Sequence, residues 1–458
     1  MVFSGVTFLY YFLPIMLFIY FISKTKYKNI ILLIGSLLFY FYGEPKYIII
    51  LLLSGIINYF IGKKLVSKNK KIYLILGLTL NLGLLFYFKY FNFLLENINN
   101  IFNSNINYIN VIIPLGISFY TFKNISYLID VYNKKVKPSN NLLNYLVYIS
   151  LFFSTLEGPI VRYETIEKQL VNRTSTKEMI SKGITRFIIG LSKKVLIANV
   201  LGGLVNSLTL LETKSVVSYW LKAITDILRL YIDFSGYSDM AIGLGLIFGF
   251  TILENFDYPF TSKTMTEFWR KWHISLSSFF KDYVYIPLGG SRVNKLRRLF
   301  NIMIVWSLTG LWHGASYNFI IWGLYFGIIL LIEKKFFYNL FSKHKFIGTL
   351  LTNILVIIGF VFFYNEGLKD ALISLKSMFG LNHIDFINLE TIYYIKNYIV
   401  VLVLGYLISL KVFNKIINKL KNNKIINLME PLLLIVLLLV STAFIIDESF
   451  NPFLYFRF

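Results

Sequence analysis

Apolar runs without a charged side chain recur along the chain. The first 23 residues form one such run, and further runs occupy 29–43, 47–62, 72–88, 346–365 and 431–446. Several approach the roughly 20 residues with which a helix crosses a hydrocarbon core of about 30 Å. The pattern predicts an all-α polytopic membrane protein. The first run is expected to be a membrane helix, because no basic segment precedes it as in a cleaved signal peptide.

Lysines in the predicted loops indicate the orientation of the chain. With the N-terminus outside and crossings at about 4–22, 29–43, 47–62, 72–88 and 108–132, only Lys46 and Lys89 fall in outside loops. The inside loops then hold Lys24, Lys26, Lys28, Lys63, Lys64, Lys68, Lys70, Lys71, Lys134, Lys135 and Lys137. Because cytoplasmic loops carry the excess of basic residues, this bias predicts a cell-membrane protein with its N-terminus outside.

Charged residues interrupt the apolar segments beyond residue 140. The segments 184–206 and 216–250 contain Lys193, Lys194, Asp226, Arg229, Asp233 and Asp239. Segments of this polarity are expected to face the interior of a helix bundle or to lie at the membrane interface. The basic stretch 254–298 is expected to be cytoplasmic.

The charge-free segment 299–332 is too long for a single crossing. As one helix it would measure about 50 Å, and basic residues flank it on both sides. We therefore predict a broken or hairpin element with both ends inside and its break at 309–314. Segments at 346–365, 392–413 and 426–446 bring the total to about eleven spans, with further re-entrant or interfacial helices.

Composition excludes several classes of protein. Only 15% of the 458 residues are charged, against about 25% in soluble domains. The absence of cysteine excludes disulfides, a thiolate nucleophile and a cysteine-bound metal. We attribute the net charge of +23 to loops that set topology and meet lipid headgroups, so the bilayer and not nucleic acid is the expected partner.

His313 is the first candidate for chemistry, because it lies within the predicted break. An ionisable side chain at membrane depth is costly and usually functional. The alternative is a structural histidine bonded to a neighbouring helix. Gly310 and Gly314 would let a backbone or a ligand approach closely. A neutral imidazole can accept the proton of a hydroxyl that attacks a carbonyl, and this chemistry needs no metal.

His273 is the second candidate. On a predicted helix it shares a face with Trp269 and Trp272, which is typical either of an interfacial aromatic belt or of a polar group at the mouth of a cavity. His344 and His383 lie in polar loops and are expected to be solvated. Asp233 and Asp239 could act as acids, although carboxylates close to Arg229 on the same segment are more often paired structural charges.

Blocks along most of the chain resemble the membrane-bound O-acyltransferase (MBOAT) family. The matching blocks are VFSGVTFLYYFLPI (2–15), PLGISFYTFKNISYLIDVY (114–132), EGPIVRY (157–163), GLSKKVLIANVLG (190–202), YIDFSGYSDMAIGLGLIFGF (231–250), ENFDYPFTSKTMTEFWRKWHISLSSFFKDYVYIPLGGSR (254–292) and TGLWHGASYNFIIWGLYFG (309–327). WHISLS and GLWHG, about 40 residues apart, are specific in combination. The likeness is strongest to the branch that O-acetylates exported polysaccharides, typified by the alginate O-acetyltransferase membrane subunit.

The resemblance implies helices around a central tunnel that joins the two membrane faces, with His313 as the catalytic histidine and His273 in a secondary role. It implies acetyl-CoA as the cytoplasmic acetyl donor, and we expect no permanently bound cofactor or metal. An extracytoplasmic serine-hydrolase-like acetyltransferase would deliver the acetyl group to a polysaccharide. We expect one membrane domain with N-terminal helices (1–140), a catalytic core (141–335) and C-terminal helices (336–458).

The aromatic C-terminus matches an F-x-Y-F-x-F motif of this branch or of a small partner peptide in the D-alanylation branch. Its Tyr455 is a possible acyl carrier that His313 would activate, and the alternative is an interfacial aromatic anchor. Candidate donor-binding residues surround the histidine blocks, namely Trp269, Arg270, Lys271, Trp272, Lys281, Arg292 and Trp312. The sequence departs from the family at Phe153 and Glu157, where a proline and a small residue are expected, so the shape of that loop is in doubt.

Three other functions remain open at this point. D-alanyl transfer to teichoic acid, with a carrier protein as the donor, is the alternative within the enzyme class. A transporter would show paired broken helices and repeat symmetry, whereas this sequence has one broken segment and no evident repeat. A scaffold for a polysaccharide synthase would not depend on His313.

Overall fold

The computed structural model describes residues 2–412, 416, 419 and 423–447, and its regular structure is helical. The α-helices are Leu13–Ile22, Lys28–Gly43, Ile48–Lys64, Lys70–Leu85, Phe91–Phe102, Ile117–Tyr132, Leu142–Ser150, Phe152–Thr155, Tyr163–Val171, Lys177–Ser192, Asn199–Thr209, Val216–Ile247, Met265–Lys271, Ile274–Phe280, Lys295–His313, Tyr317–Ile332, Tyr338–Lys343, Lys345–Tyr364, Leu368–Met378, Leu389–Ser409 and Lys424–Asp447. Short π- and 3₁₀-helical segments are Thr7–Phe12, Thr25–Tyr27, Phe86–Tyr90, Lys193–Ala198, Pro259–Thr261, Lys281–Tyr285 and Glu333–Phe337. No strand occurs among these residues, which confirms the predicted all-α class.

Five of the described helices are long and apolar enough to cross a membrane. Two of them, Lys70–Phe102 and Lys177–Thr209, each consist of two α-helices joined by a π-helical segment. The others are Lys345–Tyr364, Leu389–Ser409 and Leu428–Asp447. Only 6% of the most apolar part of Leu428–Asp447 is buried within the protein, so lipid must cover this surface. The predicted total of about eleven spans stays a prediction, because many of the remaining helices are shorter.

The predicted crossing at 108–132 begins later than expected, at Ile117. Residues 104–114 are not helical, and the helix starts after Gly116, whose φ is +71°. Glycine adopts this left-handed conformation without strain. A Cβ at the same position would collide with the carbonyl oxygen of Thr155. Pro114 and Gly116 therefore set the start of the helix.

The chain forms two compact units. Among the described residues, the first comprises 2–187 and 238–254, and the second comprises 188–237 and 255–447. All of the contacts around the candidate histidines described below lie within the second unit. The predicted division of a single domain at residues 140 and 335 stays a prediction.

Aromatic rings fill the core of the first unit. Phe8 packs on Phe3 and Phe152, with ring centroids 4.9 Å and 6.2 Å apart. Phe153, one of the two departures from the family pattern, is fully buried and stacks on Phe248 at 6.3 Å. The unexpected phenylalanine is therefore a core residue, and Glu157 is buried as well.

The charged residues predicted to interrupt these segments are buried or half-buried: Lys194, Asp226 and Asp233 are buried, and Lys193, Arg229 and Asp239 are half-buried. Lys194 Nζ lies 2.7 Å from Asp233 Oδ1 in the second unit. In the first unit, Arg186 Nη2 lies 2.9 Å from Asp239 Oδ1. Both carboxylates are thus paired as structural charges, and the two basic partners come from the segment 184–206, whereas the sequence suggested a partner on the carboxylates' own segment.

Candidate active site

His313 is the last residue of the helix Lys295–His313, which packs against the following helix, Tyr317–Ile332. We call this pair of helices the hairpin. Its turn begins at Gly314, which is fully extended with φ −172°. Ser316 then starts the second helix, where its Oγ accepts a hydrogen bond from the backbone N–H of Asn318 at 3.4 Å. The break predicted at 309–314 thus lies immediately after His313.

Glycines bring the two helices of the hairpin into contact. A Cβ on Gly310 would collide with the carbonyl oxygen of Phe319, and a Cβ on Gly323 with that of Trp306. A Cβ on Gly314 would collide with the ring of Phe319. The close approach predicted from Gly310 and Gly314 is therefore made by the second helix of the same hairpin.

Aromatic rings surround the imidazole of His313, which is only 4% exposed. Its ring centroid lies 4.9 Å from Trp312, 5.0 Å from Trp322 and 5.2 Å from Phe363. The rings of Trp322 and Phe363 are nearly perpendicular to the imidazole, the edge-to-face arrangement that aromatic pairs prefer. This packing fixes the position of the imidazole and removes it from bulk water.

His273 does not lie on a continuous helix, which corrects the sequence prediction. The helix Met265–Lys271 ends before Trp272, and His273 has a left-handed φ of +45°. A second helix then runs over Ile274–Phe280. Histidine is among the few side chains that tolerate a positive φ. The chain therefore turns at His273, and the assumption that it shares a helix face with Trp269 and Trp272 is wrong.

The indole of Trp312 lies next to both candidate histidines. Its ring centroid is 5.7 Å from His273 and 4.9 Å from His313. The imidazole of His273 also packs perpendicular to the ring of Phe234, with the ring centroids 4.8 Å apart. The structure thus brings the two predicted histidines to one aromatic cluster, although they are 40 residues apart in the sequence.

Asn255 holds the turn at His273, and the sequence reasoning missed it. Its Oδ1 accepts hydrogen bonds from Ser275 N (3.1 Å) and Ser275 Oγ (2.9 Å) and lies 3.2 Å from His273 Nδ1. Its carbonyl oxygen accepts a hydrogen bond from Ile274 N at 2.9 Å. Asn255 is fully buried, and His273 is 2% exposed. Burial lowers the pKa of the His273 imidazole to about 3, so the ring is neutral near pH 7.

Glu333 was also missed by the sequence reasoning. This buried residue follows the second helix of the hairpin, and its carboxylate accepts hydrogen bonds from the backbone N–H groups of Met265 and Thr266. Thr266 Oγ1 donates a further hydrogen bond to it at 2.9 Å. A carboxylate is stabilising at a helix N-terminus, where N–H groups lack helical partners. Glu333 therefore anchors the helix that leads to His273.

Trp269 and Trp272 are core residues and not an interfacial belt. Trp269 packs against Trp306 and Phe326, with ring centroids 4.7 Å and 4.8 Å apart. Trp272, which is 2% exposed, stacks on Phe268 at 5.5 Å. Both indoles are thus enclosed by protein, which corrects the interfacial interpretation.

The predicted cationic residues differ in availability. Arg270, Lys281 and Arg292 are exposed, whereas Lys271 is half-buried and its Nζ lies 2.6 Å from the Glu267 carboxylate. The three exposed cations could hold the phosphates of a donor. His344 and His383 are exposed, as predicted.

Tyr455 lies outside the described residues, so its role as an acyl carrier stays a prediction. Within the part of the chain that the structure describes, no group of three or more histidine, aspartate and glutamate side chains is placed to hold a metal ion.

Comparisons with known proteins show the family of the chain. Residues 135–366, which include both histidines, match the model of the MBOAT, membrane-bound O-acyltransferase family. The chain is 39% identical over 392 residues to the probable alginate O-acetylase of Pseudomonas aeruginosa, covering 83% of this chain and 75% of that protein. It is 34% identical over 431 residues to the peptidoglycan O-acetyltransferase of Helicobacter pylori, covering 85% and 82%.

A more distant relative carries the alternative activity. The teichoic acid D-alanyltransferase of Bacillus subtilis is 30% identical over 246 residues, which cover 51% of this chain and 61% of that protein. The family match spans half of the chain, and the alignments with the acetylating relatives extend over most of it. The protein is therefore an O-acyltransferase, and it belongs to the membrane-bound O-acyltransferase family.

Proposed function

We propose that the protein transfers an acetyl group from cytoplasmic acetyl-CoA to a hydroxyl group, for the O-acetylation of an exported or cell-wall polysaccharide. The observation that carries the proposal is the buried imidazole of His313 at the end of its helix, held by Trp312, Trp322 and Phe363. A neutral imidazole in such a setting suits a general base. The acetylating relatives support acetate as the acyl group.

In the proposed reaction, His313 accepts the proton of the incoming hydroxyl while its oxygen attacks the thioester carbonyl. The new C–O bond forms, the C–S bond breaks, and the coenzyme A thiolate takes up the proton from His313 and leaves as a thiol. General base catalysis contributes about 10²–10⁴-fold, and positioning of the two reactants contributes more. The hydroxyl of Tyr455 is our candidate for the first acceptor.

The proposed arrangement separates donor and acceptor by membrane face. With the N-terminus outside, the exposed cations Arg270, Lys281 and Arg292 face the cytoplasm and hold the donor's phosphates. The helix Lys345–Tyr364 then runs from the cytoplasm outwards, and Asn318 Nδ2 near the hairpin turn donates a hydrogen bond to the carbonyl oxygen of Asn365, just beyond that helix. In this orientation His313 lies towards the outer face.

This arrangement assigns delivery to a second protein. An extracytoplasmic serine-hydrolase-like acetyltransferase takes the acetyl group from the membrane enzyme and places it on the polysaccharide. The charged coenzyme stays in the cytoplasm throughout.

Ester-linked acetate on envelope polysaccharide tests the proposal. Cells that produce the wild type, His313→Ala or Tyr455→Phe at equal levels are compared, and His344→Ala serves as the matched control because His344 is exposed in a loop. We expect acetate to fall by at least about 100-fold in His313→Ala and to be unchanged in the control. Unchanged acetate in His313→Ala would refute the catalytic assignment.

A donor assay separates the two acyl groups. Membranes are supplied with radiolabelled acetyl-CoA or with a D-alanyl carrier protein, and label on polymer or protein is measured. We expect incorporation from acetyl-CoA alone. Incorporation of D-alanine would instead favour the teichoic acid activity.

A further inference from the structure

Asn255 determines which nitrogen of His273 carries the proton. Ser275 N is a backbone amide and can only donate, so the side-chain atom of Asn255 that lies 3.1 Å from it must be the carbonyl oxygen. This assigns the orientation of the amide. The same oxygen lies 3.2 Å from His273 Nδ1.

An oxygen that only accepts needs a donor at Nδ1. A neutral imidazole has one N–H and one acceptor nitrogen, and burial keeps this ring neutral near pH 7. With its proton on Nδ1, His273 has its lone pair on Nε2. The rings of Phe234, Phe256 and Trp312 pack against His273.

We propose that Asn255 is a positioning residue that holds the ring of His273 as the Nδ1–H tautomer, which puts the ring's lone pair on Nε2. This inference rests on the proposed function for its catalytic meaning. A nitrogen without a proton cannot donate a hydrogen bond to a carbonyl oxygen, so Nε2 of neutral His273 does not stabilise an oxyanion.

Asn255 holds both the backbone turn at His273 and the orientation of its ring. Asn255 binds the residues on the C-terminal side of the turn through two groups, since its carbonyl oxygen accepts from Ile274 N and its side chain accepts from Ser275. The left-handed φ of His273 is thus held from the same residue that contacts its ring. Ring orientation and tautomer are set together.

Nitrogen NMR of the purified protein tests the assignment directly. The chain has four histidines, so ring-¹⁵N-histidine labelling gives few signals, and those of His273 are the ones missing from His273→Gln. We expect a protonated Nδ1 and an unprotonated Nε2. The opposite pattern would overturn the proposal.

Variants of Asn255 extend the test. Asn255→Asp keeps an acceptor at the same place, so we expect the Nδ1–H tautomer to persist and the pH at which Nε2 becomes protonated to rise by about 1–3 units. Asn255→Ala removes the acceptor and is expected to give mixed tautomers and about 10-fold or greater loss of acetyl transfer. Ser275→Ala removes one donor to the same oxygen and should leave the tautomer unchanged. Persistence of a pure Nδ1–H tautomer in folded Asn255→Ala would contradict the proposal.

The NMR readout is independent of the reaction. If acetate content is unaffected by His313→Ala while His273 shows the Nδ1–H pattern, the proposed function fails and the assignment of Asn255 stands. If acetate is lost in His313→Ala and His273 shows the Nε2–H pattern, the assignment of Asn255 fails and the proposed function stands.

Discussion

A buried ion pair lies beside the histidine cluster. The side chains of Lys194 and Asp233 are 2% and 3% exposed, and their charged atoms are 2.7 Å apart. Asp233 precedes Phe234, whose ring contacts His273 at 4.8 Å. Burial of a single charge costs several kcal/mol of desolvation free energy, and an opposite charge in contact with it offsets this cost. The pair therefore maintains the contact between the helix Val216–Ile247 and the segment Lys193–Ala198.

Removal of one charge from this pair should destabilise the protein. We expect Lys194→Met to lower the free energy of unfolding by about 3–5 kcal/mol, because Asp233 would remain buried without its ion-pair partner. The double variant Lys194→Met/Asp233→Leu should recover much of this loss. Melting temperature in detergent measures both effects. Lys182→Met, in the exposed pair with Glu178, is the control, and an equal loss there would argue against burial as the cause.

At the scale of elements, the hairpin depends on reciprocal glycines. Gly310 on the first helix faces a carbonyl oxygen of the second, and Gly323 on the second faces a carbonyl oxygen of the first. These contacts are to backbone, which cannot move aside as a side chain can. The separation of the two helices, and with it the position of His313 against Trp322, follows from the absence of a Cβ at both positions.

Gly310→Ala should therefore disturb the hairpin. We expect a loss of about 1–3 kcal/mol in stability from overpacking, together with reduced acetyl transfer because His313 would be displaced from Trp322 and Phe363. Gly83→Ala is the matched control, since a Cβ there meets no atom within 4 Å. Thermal unfolding and acetate content are the measurements. Normal activity in Gly310→Ala would show that the hairpin tolerates a wider separation.

The sequence could predict those elements that depend on the length of an apolar segment or on the charges within and beside it. The break after His313 could be located because 299–332 is too long for one crossing and is basic on both flanks. The burial of Lys194 and Asp233 followed from charges within otherwise apolar segments. Such features depend on the cost of charge in an apolar environment, which acts on each segment separately.

Contacts that depend on backbone turns were not predictable. The helix predicted across His273 is interrupted by one left-handed residue, and periodicity alone does not reveal such a turn. Asn255 and Glu333 reach their partners only through the tertiary fold, over 18 and 68 residues of sequence. Neither residue has a local pattern that distinguishes it from other polar residues.

At the scale of the whole molecule, orientation in the membrane determines which reactant meets which face. The exposed apolar surface of Leu428–Asp447 is suited to contact with lipid. The lysine distribution predicts an outside N-terminus, which places Lys68 in the cytoplasm and Lys46 outside. Both lysines are exposed in the structure.

Single cysteines test this orientation without background, because the chain has none of its own. In intact spheroplasts, we expect a membrane-impermeant maleimide to label Lys46→Cys and to leave Lys68→Cys unlabelled until the membrane is permeabilised. Labelling is read from the mobility of the protein on a gel. The inverse pattern would reverse the proposed sides for donor and acceptor.

The first helix of the hairpin sets the distance between the basic loop that precedes it and His313. Lys295 follows closely after the exposed Arg292, and at 1.5 Å per residue the helix carries His313 about 27 Å away from it. Under the proposed function, a donor whose phosphates bind near Arg292 must therefore extend an arm into the protein before its acyl carbon meets the imidazole. A compact molecule such as acetyl phosphate cannot occupy both ends at once. In the proposed arrangement, the length of the donor's arm and the identity of its acyl group would together select the donor.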